Sequence, residues 1–186
     1  MAERVKQLCL FEDMAEESHG MNVVNVSSVP KRSPFRYAGG KTWLIPTIRR
    51  WLAINSQAHL IEPFCGGGIV SLSVVAENRA RQSTMIEKDD DVAAAWITII
   101  DNPEWLVDRI KGFTMSRENV IEVTTSEPCS IYDHGFQTII RNRTNHGGIL
   151  AKGAGTIKQG EKGKGIGSRW YPETLAKRIM GISAYR

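Results

Sequence analysis

The stretch Leu60-Ile61-Glu62-Pro63-Phe64-Cys65-Gly66-Gly67-Gly68-Ile69-Val70-Ser71-Leu72 constrains the fold more than any other part of the chain. A short apolar run meets three glycines and continues as a second apolar segment. Such a run bounded by glycine reads as a buried strand, and the apolar stretch that follows reads as a helix. The expectation is a strand over 59–64, a turn at the glycines, and a helix through about Asn78. Ser83-Thr84-Met85-Ile86-Glu87 supplies a second strand that ends in an acid. Two strands joined by a helix form the βαβ unit of an α/β sheet, and glycines at a helix N-terminus let the backbone approach a ligand. Glu87 stands about 20 residues beyond the glycines, where an acid accepts hydrogen bonds from ribose hydroxyls in Rossmann-type sites. Because the segment is not GxGxxG, a plain packing turn with a solvated Glu87 explains it equally well at this level.

The other elements follow from periodicity. Leu44, Ile45, Ile48, Trp51 and Leu52 have helical spacing, with Pro46 tolerable only in the first turn. Further helices are expected over 91–100, from Glu104 after the Asn102-Pro103 break, over 131–143, and from about Glu173 to Tyr185. Residues 118–123 are ambiguous between helix and strand. Residues 1–34 read as a flexible arm with little to bury, so ordered structure is expected to begin near Phe35.

Charge is distributed unevenly. From Arg141 to Arg169 there are seven basic residues and one acid, a net of +6 in a chain of net +4, so the remainder sums to −2. Eight glycines fall between Gly147 and Gly167, which suits a surface loop or hairpin better than a helix. A basic segment on a mildly acidic body points to a polyanion. Arg141, Asn142, Arg143, Thr144 and Asn145, with Lys152, Lys158 and Arg169, are the candidate DNA contacts, since Arg and Asn read base edges and hold phosphates. A solvated, lysine-rich loop is the bland alternative.

Several classes are excluded. No apolar run approaches the roughly 18 residues of a membrane span, and acids occupy the place of a signal peptide's apolar core. A cytoplasmic protein is expected. The three cysteines and four histidines are scattered, which argues against zinc and against a disulfide framework. Gly39-Gly40-Lys41-Thr42 looks like the end of a phosphate-binding loop, but Phe35 stands where that loop needs its first glycine.

Taken in order, Phe35-Arg36-Tyr37-Ala38-Gly39-Gly40-Lys41, the Glu62–Gly68 segment, the acid of Met85-Ile86-Glu87, and Arg141–Gly148 with its basic loop resemble the DNA adenine-N6 methyltransferases of the Dam type. The resemblance spans about residues 33–186. It implies an α/β fold: an incomplete Rossmann-like methyltransferase sheet with an inserted helical and loop-rich target-recognition region. It implies S-adenosylmethionine as cofactor, held by Tyr37, Gly39, Gly40, Lys41, Phe64, Gly66, Gly68 and Glu87. Many relatives have tryptophan at Tyr37 and aspartate at Glu87. The implied organisation is an arm (1–34), a cofactor-binding part (35–100), a target-recognition region (101–172) and a returning helix (173–186). Arg143 and its neighbours would contact double-stranded DNA.

The family's catalytic Asp-Pro-Pro-Tyr does not occur in the 186 residues. The expectation is therefore a truncated enzyme, inactive alone. One half of a split enzyme that needs a complementing C-terminal chain, or a non-catalytic DNA- or clamp-binding remnant, are the alternatives. Gln7-Leu8-Cys9-Leu10-Phe11 looks like the bacterial sliding-clamp peptide, with Gln7, Leu8, Leu10 and Phe11 as anchors.

Overall fold

The computed structural model describes residues 26–37, 39–151, 153–160 and 163–185. The clamp-like peptide at Gln7–Phe11 and the DNA candidate Lys152 lie outside them. A short 3-10 helix over Lys41–Leu44 runs into α1 (Ile45–Trp51), where Pro46 sits in the first turn and loses no helical hydrogen bond. Then come β1 (His59–Pro63), α2 (Ile69–Ala76) and β2 (Gln82–Ile86). Among the described residues five α-helices follow: α3 (Asp90–Asp101), α4 (Pro103–Gly112), α5 (Arg117–Thr125), α6 (Ile131–Thr144) and α7 (Pro172–Ser183). The architecture is a mixed helix and strand fold with a small parallel sheet.

The two strands pair in parallel, Leu60 opposite Ser83 and Glu62 opposite Met85, with α2 as the crossover. Alternation along β1 buries Leu60 and Glu62 and leaves Ile61 and Pro63 exposed. The sequence suggested a fully buried strand. Instead Ile61 and Ile86 are each more than half exposed, because no described element covers that face.

Two apolar clusters flank α2. One gathers Val29, Ile45, Ile48, Leu52, Leu60, Ile69, Val70 and Val74. The other gathers Leu72 with the inner faces of α3, α4, α6 and α7, including Trp96, Ile99, Leu106, Phe136, Ile139, Ile140 and Ile179. Helix α6 runs through the middle of this second cluster. Gly135 permits its close approach to α3, since a Cβ there would lie 2.1 Å from Thr98 Oγ1 and 2.7 Å from the Ala94 carbonyl.

Local sequence accounts for the helix starts. Asp89 caps α3, Ser116 caps α5 and Ser130 caps α6, each accepting backbone N–H groups of the first turn. The Ser116 cap resolves the ambiguous 118–123 stretch as helix. The glycine-rich segment carries an antiparallel bridge between Asn145 and Thr156, with the Ile157 N–H donating to the Thr144 carbonyl at 2.8 Å.

The start of the described residues is anchored to the body at Val29 and Pro34, while residues 26–28, 30 and 31 stay exposed. Val29 is buried in the first cluster, the Arg143 guanidinium donates to the Pro34 carbonyl, and the Arg178 guanidinium donates to the Ser33 carbonyl at 3.1 Å. The polar, turn-rich composition hid this, because the segment is held by its carbonyls more than by its side chains.

Candidate functional site

The βαβ unit brings the carboxyl ends of β1 and β2 side by side, and the glycine turn follows β1 directly. Phe64, Gly66 and Gly68 all have positive φ (54°, 52° and 62°). A left-handed conformation costs an L-residue with a Cβ about 1–2 kcal/mol, so the path favours glycine. Space demands it too. A Cβ on Gly66 would lie 2.7 Å from the Tyr37 ring, and one on Gly68 would lie 2.6 Å from the Trp96 ring. The Trp96 indole N–H donates to the Gly66 carbonyl at 2.8 Å and holds the turn from behind.

Two carboxylates organise this turn. Glu62 is 5% exposed. It accepts from Lys41 Nζ at 2.8 Å, and its other oxygen accepts from the N–H and hydroxyl of Ser71 at 2.9 and 2.6 Å. Lys41 also donates to the Phe64 carbonyl at 2.7 Å, so it ties the Gly40 segment to the end of β1. Glu87 accepts from the Gly66 N–H at 2.6 Å and from the N–H groups of Lys88 and Asp89 at 2.8 and 3.1 Å. Burial pushes its pKa up, but the backbone donors outweigh burial and hold it below the usual carboxylate range. Burial followed by the nearby Glu87 and Asp89 charges raises the Tyr37 phenol. The Cys65 thiol, buried and facing Glu87 and Glu62, is pushed up to about 12, so it stays a thiol and is no nucleophile.

A cavity of about 250 Å³ opens in front of the turn. Tyr37, Gly39, Gly40, Lys41, Phe64 and Gly66 line it, with Lys31, Arg36 and Arg178 as a cationic wall. Thus six of the eight cofactor candidates share one cavity. Gly68 stands behind the turn against Trp96, and Glu87 lies outside the lining and reaches the cavity edge through Gly66. Sequence reasoning missed Glu62, Trp96, Arg36 and Arg178. An acid inside the apolar Leu60–Pro63 run was the available signal for Glu62.

The DNA candidates separate into two groups, three of them buried. Asn142, Arg143 and Thr144 are buried at 0%, 7% and 1% exposure. Asn142 accepts from the Arg36 N–H at 2.9 Å and donates to the Arg36 and Gly148 carbonyls at 2.8 and 2.9 Å. Thr144 Oγ1 donates back to the Ile140 carbonyl. Arg143 is desolvated and repelled by Arg178 and Arg36, which lowers its pKa to about 10. These three side chains are enclosed within the fold, because helix α6 is packed on nearly every side. Arg141 is half-buried and pairs with Asp91 at 3.3 Å, and Asn145 donates to the Ile149 carbonyl at 2.8 Å. Lys158 and Arg169 line a second cavity, with Arg36 and His146.

The strand–glycine–helix turn braced by two carboxylates stands beside a basic, loop-rich region, and α/β proteins bind ligands at the carboxyl ends of their strands. Residues 37–138 match the family described as D12 class N6 adenine-specific DNA methyltransferase. The match covers more than half of the chain, and the chain belongs to that family. A search of curated proteins finds no match. No helix among the described residues is long and apolar enough to cross a membrane, and no group of described side chains could hold a metal ion.

Proposed function

We propose that the chain binds S-adenosylmethionine beside the glycine turn and presents it to adenine N6 of double-stranded DNA. The observation that carries this reading is one cavity at the carboxyl end of β1, lined by Tyr37, Lys41, Phe64, Gly66 and Gly67, with Glu62 bracing Lys41 and Glu87 bracing the Gly66 N–H from outside the lining. The residues fit such a ligand. The cationic wall of Lys31, Arg36, Lys41 and Arg178 suits the carboxylate of the methionine end. Tyr37 and the bare glycine backbone give a flat, close wall. Beyond Gly66, the ionised Glu87 accepts hydrogen bonds from ribose hydroxyls.

When bound, the cofactor supplies a methyl group on a sulfonium to the adenine amine. Pairing occupies that amine in the duplex, so the base must leave the stack first. The residues named here bind and orient, which places the reactants for in-line transfer. They include no acceptor for the amine proton, since the 186 residues contain no Asp-Pro-Pro-Tyr. The chain alone is therefore expected to bind cofactor without transferring methyl groups. The open face at Ile61, Pro63 and Ile86 leaves apolar surface for a further packing element, because parallel sheets are normally covered on both faces.

Titration calorimetry with S-adenosylmethionine tests the site. Lys41→Ala and Glu87→Ala are expected to weaken binding by about tenfold or more, a loss of the order of one charged hydrogen bond. Equal affinity in both variants and the parent removes the assignment. Methylation of DNA by the purified chain would overturn the reading that the acceptor lies outside these residues.

A further inference from the structure

We propose that the second cavity is a phosphate site that takes a phosphodiester of the DNA backbone, beside the cofactor cavity. It deepens the methyltransferase reading and rests on it for the DNA. The cavity measures about 460 Å³ and is lined by Arg36, His146, Gly147, Ile157, Lys158, Gln159, Gly160, Ser168 and Arg169. Three permanent cations and one histidine face it, and no carboxylate does among the described residues.

The independent observation is Ser168. Its side chain is 2% exposed, it lines this cavity, and its hydroxyl has no hydrogen-bond partner among the described residues. Buried hydroxyls are normally paired, so an orphan in a cationic cavity calls for an acceptor from outside. A phosphate oxygen accepts the hydroxyl proton, and its charge suits a lining of cations. Arg36 supports this. Burial and then the Arg169 charge hold its pKa below the ordinary value, as expected of cations brought close together. Arg36 also lines the cofactor cavity, so a phosphate held here would fix the DNA backbone next to the methyl donor. Phosphate contacts set position and carry no sequence information.

The test is fluorescence anisotropy with two duplexes of unrelated sequence, over a salt series, on the parent, Ser168→Ala and Lys158→Gln. Lys158→Gln should weaken both duplexes by the same factor and reduce the salt slope by about 0.9. Ser168→Ala should weaken both equally with the slope unchanged, because the hydroxyl carries no charge. Melting curves confirm that each variant is folded; among the described residues neither side chain makes a hydrogen bond or ion pair. In parallel, inorganic phosphate is titrated against the amide resonances of Gly160 and Ser168, which should shift.

Unchanged DNA affinity in both variants overturns the proposal. If phosphate still shifts the amides in that case, the cavity takes a free phosphate ligand instead. Loss on only one duplex marks a base reader and also overturns it. A parent that binds cofactor but no DNA sinks the phosphodiester site and leaves the cofactor reading standing. Uniform loss in variants of a parent that binds no cofactor upholds this site and sinks the cofactor reading.

Discussion

The glycine turn after β1 and the carboxyl end of α6 carry similar sequence signals, yet the fold uses them differently. At the turn, Tyr37, Lys41, Phe64 and Gly66 face a common cavity. At the end of α6, Asn142, Arg143 and Thr144 point into the protein and bond to backbone. The chain path at a strand–turn–helix junction is set within a few residues, so side-chain placement follows from local sequence. The outward face of a helix depends on how many neighbours pack around it. Helix α6 is buried from Gly135 to Thr144 except at Arg141, so its charged and polar residues become struts.

The largest test of that contrast is Glu62→Ala. It leaves Lys41 and Ser71 without their partner in a buried place, and a loss of about 3 kcal/mol or more is expected in urea unfolding. Cofactor affinity should fall with it. A variant as stable as the parent would show that the turn is not braced by this carboxylate. Next is Asn142→Ala, which removes three hydrogen bonds between α6 and the Arg36 and Gly148 backbone. About 2 kcal/mol should be lost, with DNA affinity of the folded protein unchanged. Full stability with weakened DNA binding would return Asn142 to the DNA-contact group.

Acid sharpens the comparison at Glu87. Its folded pKa lies below its unfolded value, so the unfolded chain binds the proton more readily in acid. The stabilisation is complete above the ordinary carboxylate range and disappears as pH falls through the depressed value. Melting temperatures of Glu87→Gln should therefore change less than the parent's between neutral pH and this acid range. A residual slope remains from Glu77, which its hydrogen bonds with Arg49 depress in the same direction. Identical pH profiles would remove Glu87 as a brace of the turn. The smallest effect is on stability in Lys158→Gln, expected within about 0.5 kcal/mol of the parent by urea unfolding. A larger loss would make Lys158 another strut.

Much of the secondary structure was legible because its causes are short-range. The glycine triplet, the Pro46 and Pro103 helix starts and the Asp89, Ser116 and Ser130 caps each act within a turn of where they stand. Six of the cofactor candidates share one cavity for the same reason, since they lie on two short segments near one strand end. Glu62 was not, because an acid in a strand reads as solvated until Lys41, twenty-one residues away, is brought to it. Nor was the second cavity, whose walls come from Arg36, His146, Lys158 and Ser168 on separate segments.

The sequence by itself determined the βαβ unit, its glycine turn and the excess of positive charge over 141–169. The tertiary structure alone decided which of those charges face solvent, that Val29 and Pro34 are buried against the body, and that the Ser168 hydroxyl lines a cationic cavity. Residue type sets what a side chain can do at short range, while burial and partnership are properties of segments far apart in the chain, fixed only when they pack.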